Sequence, residues 1–458
     1  MHRSLGVVAT LVALIAGCDE GSAAPAVTLE MRDDQCTRPA CFCDIELPEC
    51  QQHLFEVTAE LRGDEAGELP VIRSLGVDVV RAELLEMLAA DGLLEPTPWD
   101  APLQMLKLVP ADQTIAETLV DDLLVGVAAF YSWDTGEVTI IEGNTPDDNT
   151  IGSTVLSHEF VHALQDRDQG LQALRDMWVE STDTSTALRH AFEGEADVLS
   201  TIVLILASGG RDEDDFPWDD YYDAFLDAML QAIGDTASPF LSAPYNLPYP
   251  QGGRVVHAIR RDGGQAAVEQ LYVDGPGGAV DWIGEQAPAG RSTLVREPTC
   301  VPVLPGGERS ALDADSLGAL GLFGLLMGQG MAGFDALELS AALRADVIVV
   351  LGDASAPTAA DTASVEWRME FATAGDALEV QRALRSPSIG VRTEGEALRM
   401  WAAGTDVDLD ALATRDGCGD PGALADALGD SEVRRPKDAL DRMRRLTASP
   451  SRHAILPD

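Results

Sequence analysis

Lysine is almost absent from this chain of 458 residues, in which Lys107 and Lys437 are the only two. Asp and Glu number 77 against 31 Lys and Arg, so the formal net charge is −46. Duplex nucleic acid is bound mainly by Lys and Arg that neutralise phosphates, so this charge argues against nucleic acid as a partner. So acidic a surface predicts tolerance of salt, which screens the repulsion between like charges.

Two apolar stretches could be mistaken for membrane spans, but both lack the character of one. Residues 5–15 form a run that is too short to cross a bilayer. Residues 317–334 are apolar but are interrupted by six glycines and a glutamine, so a buried helix is the better interpretation.

The N-terminal segment resembles a bacterial lipoprotein signal. Basic His2-Arg3 precedes the apolar run, which ends in Ile15-Ala16-Gly17-Cys18. Cleavage of such a signal would remove residues 1–17 and leave Cys18 as the lipidated N-terminus. The alternative is an ordinary secretion signal with an incidental cysteine. Both alternatives predict export, and lipidation would anchor the chain to a membrane on the extracytoplasmic side of the bacterial envelope.

Cysteine is also scarce, and six cysteines remain once Cys18 is set aside. An even number outside the cytoplasm predicts disulfides, although their connectivity stays open. Four of the six could instead form a zinc knot, but they lack the usual pair of C-x-x-C units. These four are clustered early and the other two stand far apart: Cys36, Cys41, Cys43 and Cys50, then Cys300 and Cys418.

The chemistry of the chain is concentrated in an H-E-x-x-H sequence, which runs from His158 to His162. Histidines four residues apart lie on one face of an α-helix, so both imidazoles can reach one metal ion. Glu159 would face the open side and act as general base on a zinc-bound water. A helix is predicted over residues 150–167, capped by Asn149 or Thr150. So short a pattern also recurs by chance on exposed helices, but here it indicates a zinc hydrolase.

A catalytic zinc site needs a third protein ligand, and Glu193 is the best candidate. On a helix predicted over residues 185–207, Glu193 and Asp197 share a face. Glu193 would complete a two-histidine, one-glutamate site, and Asp197 would accept an imidazole N–H and orient that ligand. Two competitors are His190, one turn before Glu193, and the Glu394-Gly395-Glu396-Ala397 sequence, which lacks the later aspartate.

At these residues the chain resembles the gluzincin metallopeptidases, the thermolysin-like group with H-E-x-x-H and a distal glutamate followed four residues later by aspartate. This resemblance implies a zincin-like core, a Zn²⁺ cofactor and hydrolysis of peptide bonds in a protein or peptide substrate. The residues that match the pattern one by one are His158, Glu159, His162, Glu193 and Asp197.

A closer resemblance is to uncharacterised bacterial envelope proteins of this group that read H-E-x-x-H-A-L-Q-D, here residues 158–166. It extends weakly from about residue 61 to about residue 402. It departs at Gln265, where the group tends to have an aromatic, and at Arg296-Glu297, where a histidine is expected. Other matching positions are Ala129-Phe130-Tyr131, Pro248-Tyr249, Gly252-Gly253 and Gly263-Gly264.

The length is sufficient for two or three domains. The fold class we predict is α+β, predominantly helical, with a zincin-like metallopeptidase core and a small C-terminal α+β module. The expected segments are a Cys-rich linker at 18–52, a helical lead-in at 53–125, the core at 126–300, the C-terminal module at 301–430 and a charged tail at 431–458.

Two segments near the motif could contact substrate. Residues 127–132 and 137–141 predict a β-hairpin, and in gluzincins a strand before the zinc helix pairs with extended substrate, so residues 137–141 are a candidate edge. An ordinary hairpin that supports the helix is the alternative. Residues 244–253 predict a fixed loop, from which Tyr249 could stabilise the developing oxyanion, with His257 as a second candidate donor.

The function predicted from these patterns is that of an exported zinc-dependent endopeptidase with Glu159 as general base. A non-enzymatic alternative is an envelope binding or assembly lipoprotein that retains a zinc site as a relic. The intact Glu159 argues against it, because a relic site has no need of a base. An exopeptidase or another zinc amidohydrolase is a further alternative, which would need a pocket for a chain terminus.

Overall fold

The computed structural model describes residues 42–428, apart from 91–93, 125–126, 145–147, 210–212, 284–299, 304–309, 385–387, 409–411 and 413–416. Within these residues the chain is a mixed α+β protein in which helix predominates, which confirms the predicted class. The predictions for Cys18, Cys36, Cys41, Arg296-Glu297 and the tail at 431–458 lie outside the described residues.

The described residues between 48 and 124 form four helices and one strand. The helices are α1 (Pro48–Arg62), α2 (Val77–Ala90), α3 (Asp100–Met105) and α4 (Ile115–Leu124), and strand β1 (Val71–Gly76) lies between the first two. The sequence does not predict β1, because its apolar and polar residues do not alternate. In the fold these residues are half-buried or exposed, so neither face of the strand is fully buried. The strand exists through parallel pairing with a strand more than 60 residues later along the chain.

Strands β2 (Ala129–Ser132) and β3 (Glu137–Glu142) form the predicted antiparallel hairpin. The order of this three-stranded sheet is β1-β3-β2, so β3 is the central strand. The prediction that residues 137–141 form an edge for substrate addition is therefore wrong, because β1 pairs along the second side of β3. The alternative is confirmed, since β2 packs against the motif helix.

The motif lies on helix α5 (Asn149–Gln169), which is followed by α6 (Leu171–Trp178) and α7 (Thr182–Ser208). The carboxylate of Asp148 caps α5 by accepting a hydrogen bond from the Thr150 amide (2.7 Å), so neither Asn149 nor Thr150 is the cap. Helix α7 begins at the capping hydroxyl of Ser181, and α1 packs against both long helices.

The helices after the motif are α8 (Trp218–Gly234), α9 (Pro239–Asn246) and α10 (Gly253–Asp274), with a π-helical turn (Pro248–Gly252) before α10. Residues 244–253, predicted to be a loop, are thus helical. Prolines are tolerated in the first turn of a helix, where the amide hydrogen has no partner, and Pro248 takes that position in the π turn. Helix α10 is interrupted at Gly264, whose φ of 70° lies in the left-handed region.

The C-terminal part contains both strands and helices, as predicted, and its strands form an antiparallel five-stranded sheet. The strand order is β4-β5-β6-β8-β7, and the apolar stretch after residue 317 forms short buried helices. No helix within the described ranges is long and apolar enough to cross a membrane. The elements are β4 (Ser310–Asp315), α11 (Gly318–Gly328), α12 (Gly333–Ala341), β5 (Leu343–Gly352), β6 (Ser364–Phe371), α13 (Ala374–Ala383), β7 (Gly390–Glu394), β8 (Ala397–Ala403) and α14 (Pro421–Leu428).

Two disulfides confirm the prediction for four of the six cysteines. Cys43 is bonded to Cys50 and Cys300 to Cys418. The first bond removes two thiolates from the zinc knot considered as an alternative. The second links the start of the C-terminal part to residues near its end.

Aspartates of the C-terminal sheet hold the N-termini of two helices. Asp315 accepts hydrogen bonds from the amide (3.0 Å) and hydroxyl (2.6 Å) of Thr182, the first residue of α7. Asp346 accepts from the amides of Leu317 and Gly318 at the start of α11. A single apolar cluster also runs from Val80 to Ala402, so the C-terminal sheet and the earlier helices share a core.

Asp183 is a third carboxyl group where the C-terminal sheet meets the N-terminus of α7. Its protonation makes the stability of the fold depend on pH. Burial and the nearby charge of Asp346 raise the pKa of Asp183 to about 7, although the Ala279 amide donates to it. The folded state therefore keeps a proton that the unfolded chain loses above about pH 4, and stability falls as pH rises from about 4 to about 7.

We expect Asp183→Asn to raise the free energy of unfolding by about 1–3 kcal/mol at pH 8 and by little at pH 4. The asparagine can still accept from Ala279, and it has no acidic proton to lose, so it stays neutral at every pH. Denaturant unfolding at the two pH values measures the difference, with the exposed Asp262→Asn as control. An equal change in the free energy of unfolding at both pH values would contradict this prediction.

Candidate metal centre

Helices α5 and α7 bring the three predicted metal ligands together. Within the described part of the chain, His158, His162 and Glu193 form the one group of His, Cys, Asp and Glu donors near enough to share an ion. The two Nε2 atoms are 3.1 Å apart, and Glu193 Oε2 lies 3.3 Å from that of His158 and 3.6 Å from that of His162. A tetrahedral site with bonds of about 2.0–2.1 Å has ligand atoms about 3.3 Å apart, so this triangle matches one face of it. The three residues could hold a metal ion.

Glycines allow the backbone of α7 to touch the π-helical turn. A Cβ atom on Gly194 would lie 2.4 Å from the carbonyl carbon of Gly252, and one on Gly252 would lie 2.3 Å from the oxygen of His190. Larger side chains would therefore separate the two elements. This approach places the Tyr249 ring against the His158 imidazole, with centroids 5.6 Å apart. Tyr249 thus lies beside a ligand, and its role as oxyanion donor stays a prediction.

The second candidate for the oxyanion donor and the two competing candidates for the third ligand are not part of this group of donors. His257 stacks on Trp218, with centroids 4.2 Å apart, and lines a surface cavity. His190 is buried on α7, where its Nδ1 lies 2.8 Å from the backbone carbonyl oxygen of Thr186. It is not among the three clustered donors. Glu396 lies between β7 and β8 and is not among them either.

Glu159 is held by the hairpin that precedes its helix. Its Oε2 accepts a hydrogen bond from the Tyr131 amide at 2.7 Å. The hydroxyl of Tyr131 in turn donates to Asp166 (2.9 Å), which also accepts from the Leu171 amide. Asp166, the last residue of the A-L-Q-D sequence, therefore holds Tyr131 in place, and Tyr131 in turn orients Glu159. The only sequence signal for the contact between Tyr131 and Glu159 is that Ala129-Phe130-Tyr131 matches the resembling envelope proteins.

The imidazole of His162 has its hydrogen-bond partner on its own helix. Its Nδ1 lies 2.8 Å from Oε1 of Gln165, one turn further along α5. No role was assigned to Gln165 from the sequence, because a glutamine has no preferred function at such a position. A ring nitrogen held in this way fixes the orientation of the ligand.

Asp197 is buried between two tyrosines. Its Oδ1 lies 3.4 Å from the Tyr221 hydroxyl, and the Tyr222 hydroxyl lies beside the carboxylate. Burial raises the pKa of Asp197 to about 8 in spite of these donors. The contacts that the structure shows for Asp197 are thus with hydroxyls, and its role in orienting an imidazole stays a prediction.

Arg189 is a charged residue of the centre that the motif did not reveal. Its Nη2 lies 2.8 Å from Glu193 Oε1, and its guanidinium lies over the Tyr245 ring at 4.7 Å from the centroid. Burial alone would raise the pKa of Glu193, but Arg189 and the two histidines outweigh it and hold that pKa well below its usual range. Glu193 is therefore a charged carboxylate at neutral pH, as a metal ligand must be.

The protonation of His158 also suits a ligand. Burial lowers the pKa of His158 to about 4, although Glu193 acts in the opposite direction. The imidazole is therefore neutral at pH 7 and keeps a lone pair for a metal ion.

No family model, no curated protein and no solved structure matches this chain. The functional conclusion therefore depends on the motif residues and on their geometry.

Proposed function

We propose that this protein is an exported zinc-dependent endopeptidase of gluzincin type, built on a zincin-like core. The observation that carries the proposal is the triangle of His158, His162 and Glu193 with Glu159 held beside it by Tyr131. Two imidazoles and one carboxylate are a donor set that zinc takes in catalytic sites, where a fourth position stays open.

The residues of the chain have separate tasks in this mechanism. Zinc, when bound, supplies a Lewis acid that polarises the scissile carbonyl and acidifies water. Glu159 takes the proton from the attacking water and passes it to the leaving amine. The Tyr131 amide keeps one oxygen of Glu159 in place, so the carboxylate does not rotate away from the reaction. Tyr249 donates a hydrogen bond to the developing oxyanion.

Metal content and cleavage of an unstructured protein, measured on wild type and Glu159→Gln, test this proposal together. A zinc-containing wild type that cleaves and a zinc-containing variant that does not are the expected results. A variant that cleaves as fast as wild type overturns the mechanism.

A second candidate function is an envelope binding or assembly lipoprotein that retains zinc without catalysis. One observation favours it: His158, Glu159 and His162 each have 0% of their surface exposed. Substrate reaches these side chains only if the surrounding elements move apart. A wild type that binds zinc but cleaves nothing across a broad peptide library would favour this second function.

We also propose that Cys18 carries a lipid, on the sequence Ile15-Ala16-Gly17-Cys18 after the short apolar run. The mature protein is expected to partition with membranes, and Cys18→Ser is expected to release or mislocalise it. The matched control is Cys300→Ser, which removes a cysteine from a disulfide instead. Mass spectrometry that finds an unmodified Cys18 within the mature chain would refute lipidation.

A further inference from the structure

A buried polar network extends from the metal centre through Gln165. The amide nitrogen of Gln165 donates to Glu195 Oε2 (2.8 Å) and to the carbonyl oxygen of Phe192 (3.1 Å), both on α7. Its oxygen faces Nδ1 of His162. Gln165, His162 and Glu195 are each 1% exposed or less, so water does not compete for these contacts.

Glu195 accepts four hydrogen bonds, which is the full capacity of a carboxylate. Oε2 accepts from Gln165 and from the Tyr272 hydroxyl (2.6 Å). Oε1 accepts from Arg62 Nε (2.9 Å) and from Gln265 (2.6 Å), the residue that stands where the resembling proteins tend to have an aromatic. Arg62 and Gln265 line a surface cavity of about 700 Å³, so the network has one buried end and one exposed end.

These partners leave Gln165 one possible amide orientation. Glu195 and the Phe192 carbonyl only accept hydrogen bonds, so the NH₂ group of Gln165 must face them. Turning the amide over would place its oxygen against those acceptors and lose both bonds. The oxygen of Gln165 therefore faces His162, and Nδ1 of His162 must be the donor.

We infer that Gln165, oriented by Glu195, is a positioning residue that fixes the Nδ1–H tautomer of His162 and so leaves its Nε2 lone pair for the metal. The H-E-x-x-H sequence accounts for a histidine at position 162, but it does not determine which ring nitrogen carries the proton. Since a metal-binding imidazole must be unprotonated at the binding nitrogen, this state decides whether His162 is a competent ligand. The inference rests on the proposed metal site, but the tautomer itself can be measured without metal.

Glu195→Gln is the sharpest perturbation, because it keeps the shape of the side chain and removes its acceptor-only character. A glutamine at position 195 can donate to Gln165, which allows Gln165 to turn over and present NH₂ to His162. The proton of His162 then moves to Nε2. Gln165→Leu removes the acceptor itself. Asp64→Asn is the matched control, since Asp64 pairs with Arg62 like Glu195 does but is not bonded to Gln165.

Two measurements follow. Zinc affinity from chelator competition is expected to fall about 10–100-fold in Glu195→Gln and Gln165→Leu, the usual effect of losing such a partner, and to stay unchanged in Asp64→Asn. Long-range ¹⁵N–¹H spectra of ¹⁵N-histidine protein without metal, at pH 9, report which nitrogen of His162 carries the proton. Nδ1–H is expected in wild type and Asp64→Asn, and a shift toward Nε2–H in the other two.

The outcomes separate this inference from the proposed function. Wild-type affinity and Nδ1–H in both test variants would overturn the inference while leaving the zinc site intact. Should wild type fail to bind zinc, the proposed function fails, and the spectra still decide the tautomer. If Gln165→Leu does not fold, Glu195→Gln alone tests the inference, because it keeps the shape of the side chain and still removes its acceptor-only character.

Discussion

Glu159→Gln is expected to lower peptidase activity by about 10²–10⁴-fold, the usual contribution of general acid–base catalysis. The variant keeps the shape of the side chain, and its amide oxygen can still accept the hydrogen bond from the Tyr131 amide. It cannot take a proton from water. Zinc content and the thermal unfolding midpoint are therefore expected to stay at wild-type values while cleavage is lost.

The measurement is the initial rate of cleavage of an unfolded protein, with zinc determined in the same samples. Glu142→Gln is the control, because Glu142 is an exposed residue at the end of β3. It should cleave like wild type. Loss of zinc in Glu159→Gln would mean that the side chain supports the site and does not only act as base.

His162→Ala is expected to reduce bound zinc from about one per chain to near zero, because two remaining protein ligands do not hold the ion. The site also loses the ring that contacts Gln165. Elemental analysis after dialysis measures the change. Peptidase activity should disappear with the metal.

The matched control is His190→Ala, which removes a buried imidazole from α7 that lies outside the donor triangle. It should keep its zinc. If His162→Ala keeps a full equivalent of zinc, or if His190→Ala loses it, the assignment of the ligands is wrong.

Local spacing was sufficient to predict the helices that carry the site. The spacing of His158 and His162 depends only on the helix that contains them, and Glu193 follows from the chemistry that zinc requires. The α+β character of the C-terminal part was also predictable, because its apolar patterns are local in the sequence. The exact cap of α5, at Asp148, was missed by one residue, since several capping residue types occur together there.

Contacts between distant segments were not predictable. The position of β3 inside its sheet depends on pairing with β1, more than 60 residues earlier, which leaves no periodic signal. Glu195 and Gln165 belong to different helices, and neither residue type indicates that the two will meet. Arg189 resembles any helical arginine until the fold buries it beside Glu193.

The most direct test of the central claim is a zinc titration of metal-free protein. Zinc is removed with a chelator, and peptidase activity on an unfolded substrate is followed as zinc is returned. Activity is predicted to be absent without zinc, to rise in proportion to added zinc and to level off at one equivalent per chain. Undiminished activity in protein shown to be free of metal, or no activity with one zinc bound, would contradict the claim that this chain is a zinc-dependent peptidase.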